Sequence, residues 1–111
     1  MQPDSRKHLF DAQQAAAGVM MFTAGKTRED YESDLMLRLA VERQFEIIGE
    51  APTRIRRLDA ELLERISEHQ RIIRFRNVLI HGYDSINNDI ARGIVQEKLP
   101  MLRQELEELL K

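Results

Sequence analysis

Cysteine is absent from this 111-residue chain, and so is tryptophan. Without cysteine the chain can form neither a disulfide nor a thiolate metal site, which fits a reducing cytoplasm. No apolar run approaches the roughly 20 residues needed to cross a bilayer. Met1-Gln2-Pro3-Asp4 also lacks the basic-then-apolar order of a secretion signal. The expectation is a cytoplasmic protein with no membrane segment. No stretch alternates apolar and polar residues as a strand does, and no internal repeat or low-complexity tract is found. The length suits one domain over residues 1–111, large enough to bury a core without cross-links.

Lysine is missing from one window, and that absence is informative. Net charge is only −2, which argues against a protein that coats nucleic acid. Residues 1–53 carry nine acidic and six basic side chains, a net −3. Residues 54–81 carry seven arginines, no lysine and four acids, a net +3. Arginine without lysine suits forked contacts to phosphate oxygens. The same pattern suits a solvated helix face laced with Glu–Arg pairs four residues apart.

The apolar positions follow helical spacing throughout. Residues 4–24 read as a first helix, capped by Asp4 or Ser5 and stopped at Gly25, with Leu9, Val19, Met20 and Phe22 inward. His8 and Phe10 read as packing or surface residues. Thr27 and Asp30 form a capping box for one long helix from Arg28 to about Glu50. The apolar set of that helix, from Tyr31 through Leu35, Met36, Leu39 and Phe45 to Ile48, is too wide for one core-facing stripe. One side would face the bundle and the other a second chain, which predicts a homodimer. Pro52 is expected to kink or end the helix near Ala51. Glu50 reads as a surface or capping carboxylate, with a site role as the alternative. Residues 53–66 read as irregular or briefly helical, with Asp59 as an N-cap. Ser67 and Gln70 form a second capping box, opening a motif helix from 68 to about 81 with Ile72, Ile73, Phe75, Leu79 and Ile80 buried. Gly82 fits its end, Asp84 to Asn88 a loop, and Asn87 or Asn88 a cap. The last helix runs along Ile86, Ile90, Ile94, Leu102, Leu106 and Leu110, bent or restarted at Pro100. These elements predict an all-α fold, an up-down four-helix bundle with a short extra helix.

The chemistry is concentrated in Arg76-Asn77-Val78-Leu79-Ile80-His81-Gly82-Tyr83. Asn77 and His81 are four apart and share a helix face. Arg76 lies five before His81, about 140° round the helix, so one copy does not easily aim both at one atom. Two copies packed face to face could. RNA carries its own nucleophile, the 2′-hydroxyl, and needs only a proton acceptor and relief of the charge building on phosphorus. His81 titrates in the right range for general base or acid work. Arg76 suits the phosphorane charge, and Asn77 can orient His81 or the phosphate. No metal is expected: His69 and His81 are twelve apart, with no His-x3-His or carboxylate cluster beside them.

Arg76-x4-His81-x-Tyr83, with Asn77 directly after the arginine, resembles the signature of the HEPN-domain ribonucleases. Within them it is most similar to HepT toxins, the partners of MntA-type minimal nucleotidyltransferases. Asp4-x-Arg6, Ile47-Ile48-Gly49-Glu50-Ala51 and Leu99-Pro100-x-Leu102 also fall where that family has them, so the resemblance spans nearly the whole chain. One departure is His69-Gln70-Arg71, where the family often carries a tryptophan. The resemblance implies a HEPN-like fold and a metal-independent endoribonuclease toxin without cofactor. It places Arg76, Asn77 and His81 in an active groove where two motif helices meet across a homodimer. It further implies that the nucleotidyltransferase antitoxin attaches AMP to Tyr83 and silences the nuclease. A phosphate-bearing adduct two residues from His81 would put bulk and negative charge where RNA phosphate must sit. Arg71 and Arg74 are expected to contact further RNA phosphates. A different reading keeps the fold and drops the catalysis, leaving an inert nucleotide- or substrate-binding adaptor for the transferase.

Overall fold

The computed structural model describes residues 1–81, 91 and 93–111, and of residues 78–81 the backbone alone. Among the described residues every regular element is helical, as the apolar spacing predicts. The expectations for Gly82, Asp84 to Asn88, Ile86 and Ile90, and those for the side chains of Leu79 and Ile80, lie outside what is described.

The first helix, α1, spans Pro3–Thr23. Pro3 sits in the first turn, where a missing N–H costs no intrahelical bond. Neither Asp4 nor Ser5 caps it: Gln2 is the N-cap and makes no side-chain bond, while Ser5 is fully buried. Gly25, with φ of 72°, takes the left-handed turn just beyond the helix that a Cβ would disfavour. Leu9, Ala12, Ala15, Ala16 and Val19 form the buried face, and its small side chains bring the next helix close.

The expected helix from Arg28 to Glu50 is two helices, α2 (Arg28–Ser33) and α3 (Leu35–Leu58). The Thr27–Asp30 capping box opens α2 through bonds of 3.0 and 3.1 Å. The Thr27 backbone N–H holds the Asp30 carboxyl below its usual range. Asp34 makes the break. Its backbone is extended, at φ −113° and ψ 96°, and its carboxylate accepts from Leu37 N–H at 3.0 Å as a new N-cap. An Asp side chain competes well with the helix for nearby N–H groups, and here it restarts the winding. Arg38 then reaches back to the free carbonyls of Tyr31 and Glu32 that end α2.

Pro52 neither ends nor interrupts α3, which continues for six further residues to Leu58. A helix-interior proline costs about 3 kcal/mol. Burial of Ala51, Pro52 and Ile55 on the core side offsets that cost. Residues 53–66, expected to be mostly irregular, therefore extend α3 and then form α4 (Ala60–Glu64). Asp59 does cap α4, accepting from Leu62 N–H at 3.1 Å. Among the described residues the bundle thus has two short helices, α2 and α4, instead of one.

The motif helix, α5, spans His69–His81. The expected Ser67–Gln70 box is displaced by a longer-range bond. Ser67 N–H donates to the Glu105 carboxylate at 2.7 Å, and Glu68 turns into the left-handed region with φ of 59°. After a wide π-helical turn at Ile94–Lys98 comes α6, Leu99–Leu110, burying Leu99, Leu102, Leu106 and Leu109. The π turn runs directly into α6, just ahead of Pro100 in its first turn.

Helix α3 is the centre of the packing. It lies against α1 on one side and α5 on the other, while α6 packs on α1. Gly18 faces Gln44 across the α1–α3 contact, so those two helices run antiparallel with Lys7 and His8 near Glu50. Leu9, Val19, Val41, Ile55, Leu99 and Leu106 are the most deeply buried apolar side chains. The Phe45 and Phe75 rings meet edge to face at 5.2 Å and join α3 to α5. Ile72, Ile73 and Phe75 are only half-buried, and Ile72 and Phe75 line an apolar cavity of about 170 Å³ between α5 and α6. Arg6 donates to the Leu110 carbonyl at 2.7 Å, a cation placed at the negative end of α6. No described helix is long and apolar enough to cross a membrane.

Asp34→Ala removes the cap of the central helix. It should lower the unfolding free energy by about 1 kcal/mol, read as a lower urea midpoint with an unchanged slope.

Candidate active site

The site is built where α5 crosses α3. Gly49 has no side chain, and Arg76 lies in the space a side chain would take. A Cβ built on Gly49 would fall 2.6 Å from Arg76 Cγ, closer still to its Cβ, and 3.3 Å from the Ile72 carbonyl oxygen. The stem of Arg76 is therefore pressed against the α3 backbone, and its guanidinium emerges beside the next residue, Glu50. Arg76 Nη2 donates to Glu50 Oε2 at 2.6 Å. Arg54 Nε donates to the other oxygen, Oε1, at 2.9 Å.

One carboxylate thus serves two guanidinium groups, which leaves a surplus positive charge at this spot. The Arg76 and Glu50 side chains are 24 % and 32 % exposed. At that depth removal of either partner is more damaging than for a surface pair. Arg76 Nη1 also donates to Asn77 Oδ1 at 3.2 Å. Asn77 therefore orients the arginine as well as sharing a helix face with His81. Arg76 Nε is buried with no acceptor among the described residues.

The guanidinium opens into a cleft of about 420 Å³ between α1, α3 and α5, lined also by Lys7, His8 and Arg43. Glu50, read from sequence as a surface or capping residue, and His8, read as packing, both belong to this cleft. A signal for Glu50 was present. Arg43, Glu46, Glu50 and Arg54 recur every three or four residues and mark one charged stripe on α3.

The other predicted site residues are distributed differently. His81 ends α5 in helical backbone, but its side chain lies outside the described residues. Tyr83 does so entirely. Arg71 is on the far side of α5, paired with Glu68 at 3.3 Å and facing the apolar cavity against α6. Arg74 is exposed. The structure does not bring these two arginines to the cleft that holds Arg76.

Gly49→Ala inserts a methyl group into the Arg76 stem. It should cost about 1–3 kcal/mol through overpacking, read as a lower melting temperature. An unchanged melt would show that α3 and α5 do not touch here.

Comparison with known proteins places the chain in a family. The family model described as "Ribonuclease HepT-like" matches residues 12–109. A candidate RNase of Methanocaldococcus jannaschii is 32% identical over 104 residues, covering 94% of each chain. A second from the same organism is 31% identical over 110 residues, covering 97% of this chain and 88% of its own. A candidate ribonuclease HepT of Thermococcus cleftensis is 31% identical over 115 residues and covers 100% of both chains. No solved structure gives a significant match. The chain belongs to the HepT-like ribonuclease family.

Proposed function

We propose that this protein is a metal-independent endoribonuclease toxin, active as a homodimer and silenced by a nucleotidyltransferase antitoxin. The observation that carries the reading is the guanidinium of Arg76, held by the Gly49 contact and the shared Glu50 carboxylate at the edge of an open cleft. It sits in a family whose curated members are designated ribonucleases.

In this reading His81 accepts the proton of the RNA 2′-hydroxyl as that oxygen attacks the adjacent phosphorus. Arg76 stabilises the phosphorane charge, and Asn77 holds Arg76 in register. The 5′-oxygen leaves with a proton drawn from water, giving a 2′,3′-cyclic phosphate and a 5′-hydroxyl, and His81 returns its own proton to solvent.

A second copy is supported by the outer face of α3. Leu35, Met36 and Leu39 are 59, 81 and 55% exposed there, an apolar group on the side turned from the bundle. A homodimer that covers them and sets two motif helices together would bring Arg76 and His81 of different chains to one phosphate. Tyr83 is the acceptor of AMP, transferred from ATP by an MntA-type partner with release of pyrophosphate.

His81→Ala should lower RNA cleavage by about 10²–10⁴-fold and abolish the growth arrest expected when wild type is expressed without the antitoxin. A wild-type protein that neither cleaves RNA nor arrests growth would favour the inert adaptor. Incubation with the cognate transferase and ATP should add one AMP to Tyr83 by mass spectrometry. Full silencing with Tyr83 unmodified would overturn that assignment.

A further inference from the structure

Arg76 occupies only one edge of the cleft. The opposite wall comes from α1, which offers Lys7 and His8, and the rim from Arg43 of α3. We propose that this cleft is a subsite for the nucleotide flanking the scissile phosphate, with Lys7 and Arg43 on its phosphate and His8 on its ribose or base edge. The inference rests on the nuclease reading and adds the path of the RNA strand.

Size and charge support it. A volume of about 420 Å³ lies in the range of small-ligand sites, roughly 300–1,000 Å³, and suits one single-stranded nucleotide. Four cations, Lys7, Arg43, Arg54 and Arg76, line the cleft against the carboxylates of Asp11, Glu46 and Glu50.

Those pairings are of two kinds. Glu50 ties α3 to α5 and holds Arg76 in place. Lys7–Asp11 at 2.8 Å and Arg43–Glu46 at 3.1 Å each stay within one helix, with cations 70% and 66% exposed. Exposed pairs of that sort hold weakly, so an incoming phosphate can take their donors at little cost. Arg43 and Glu50 are seven residues apart, about 10 Å along α3. The long side chain of Arg43 covers part of that distance, which brings the phosphate next to the scissile one within its reach. A strand whose scissile phosphate meets Arg76 therefore passes Arg43 and the tip of Lys7 as it runs along the groove.

The test compares an RNA dinucleotide with a single-stranded RNA decamer, using the full-length protein and its Lys7→Glu/Arg43→Glu variant. The loss of kcat/KM on the decamer should exceed the loss on the dinucleotide by tenfold or more. For decamer binding, measured in a His81→Ala background so that the RNA stays intact, the log Kd against log salt slope should become shallower by about 0.7 per lost phosphate contact. Equal losses on the two substrates, or no loss on the decamer, would overturn the proposal. Should charge reversal prevent folding, Lys7→Gln/Arg43→Gln carries the same comparison. If wild type cuts neither RNA, the nuclease reading falls, and the salt dependence of decamer binding still decides the cleft.

Discussion

The close contact of Gly49 with the stem of Arg76 sets the geometry of this molecule. It fixes how near α5 can approach α3, and so where the Phe45–Phe75 ring pair meets. It also fixes the direction in which the guanidinium leaves the helix. Glu50 follows Gly49 immediately, so the residue that permits the approach is adjacent to the one that captures the charge. Arg54, one turn further on, shares the same carboxylate. Three constraints are thus written within about a turn and a half of α3.

That arrangement explains why one cation near the motif differs from the others. The arginine-rich window of residues 54–81 read from sequence as either a phosphate-binding surface or a solvated helix face, and the fold sends its arginines to different faces. Arg54 and Arg76 converge on Glu50, while Arg71 pairs with Glu68 on the far side of α5 and Arg74 stands in solvent. Net charge along a sequence carries no information about which helix face a residue occupies. Here α3 and α5 present different faces to the same crossing.

Much of the helical architecture was legible because local chemistry decided it. The Thr27–Asp30 box, the Asp59 cap and the stop near Gly25 are short-range devices that act as the sequence indicates. The misreadings share one cause, namely a long-range or competing partner. Asp34 could sit on a helix, but its carboxylate finds Leu37 N–H and breaks the chain there. Ser67 has a local partner within reach in Gln70, but its N–H goes to Glu105, 38 residues away. Pro52 reads locally as a kink or an end, but burial of Ile55 beyond it carries α3 on to Leu58. At the site, the motif pointed to Arg76 and Asn77 and the charged stripe of α3 to Glu50, whereas His8 joins them only through the antiparallel packing of α1 on α3. The fourfold spacing of Ile94, Leu102, Leu106 and Leu110, slightly wide for an α-helix, has a counterpart in the π turn that opens the last segment.

The crossing also bears on how this sequence can drift. At position 49 all other residue types bring a Cβ into the arginine stem, so no exchange is neutral there. At position 50 a shortened or neutral side chain still fits, and only the strength of the grip on Arg76 changes. Two neighbouring codons therefore face opposite regimes, the first frozen by volume and the second free to tune how tightly the guanidinium is leashed.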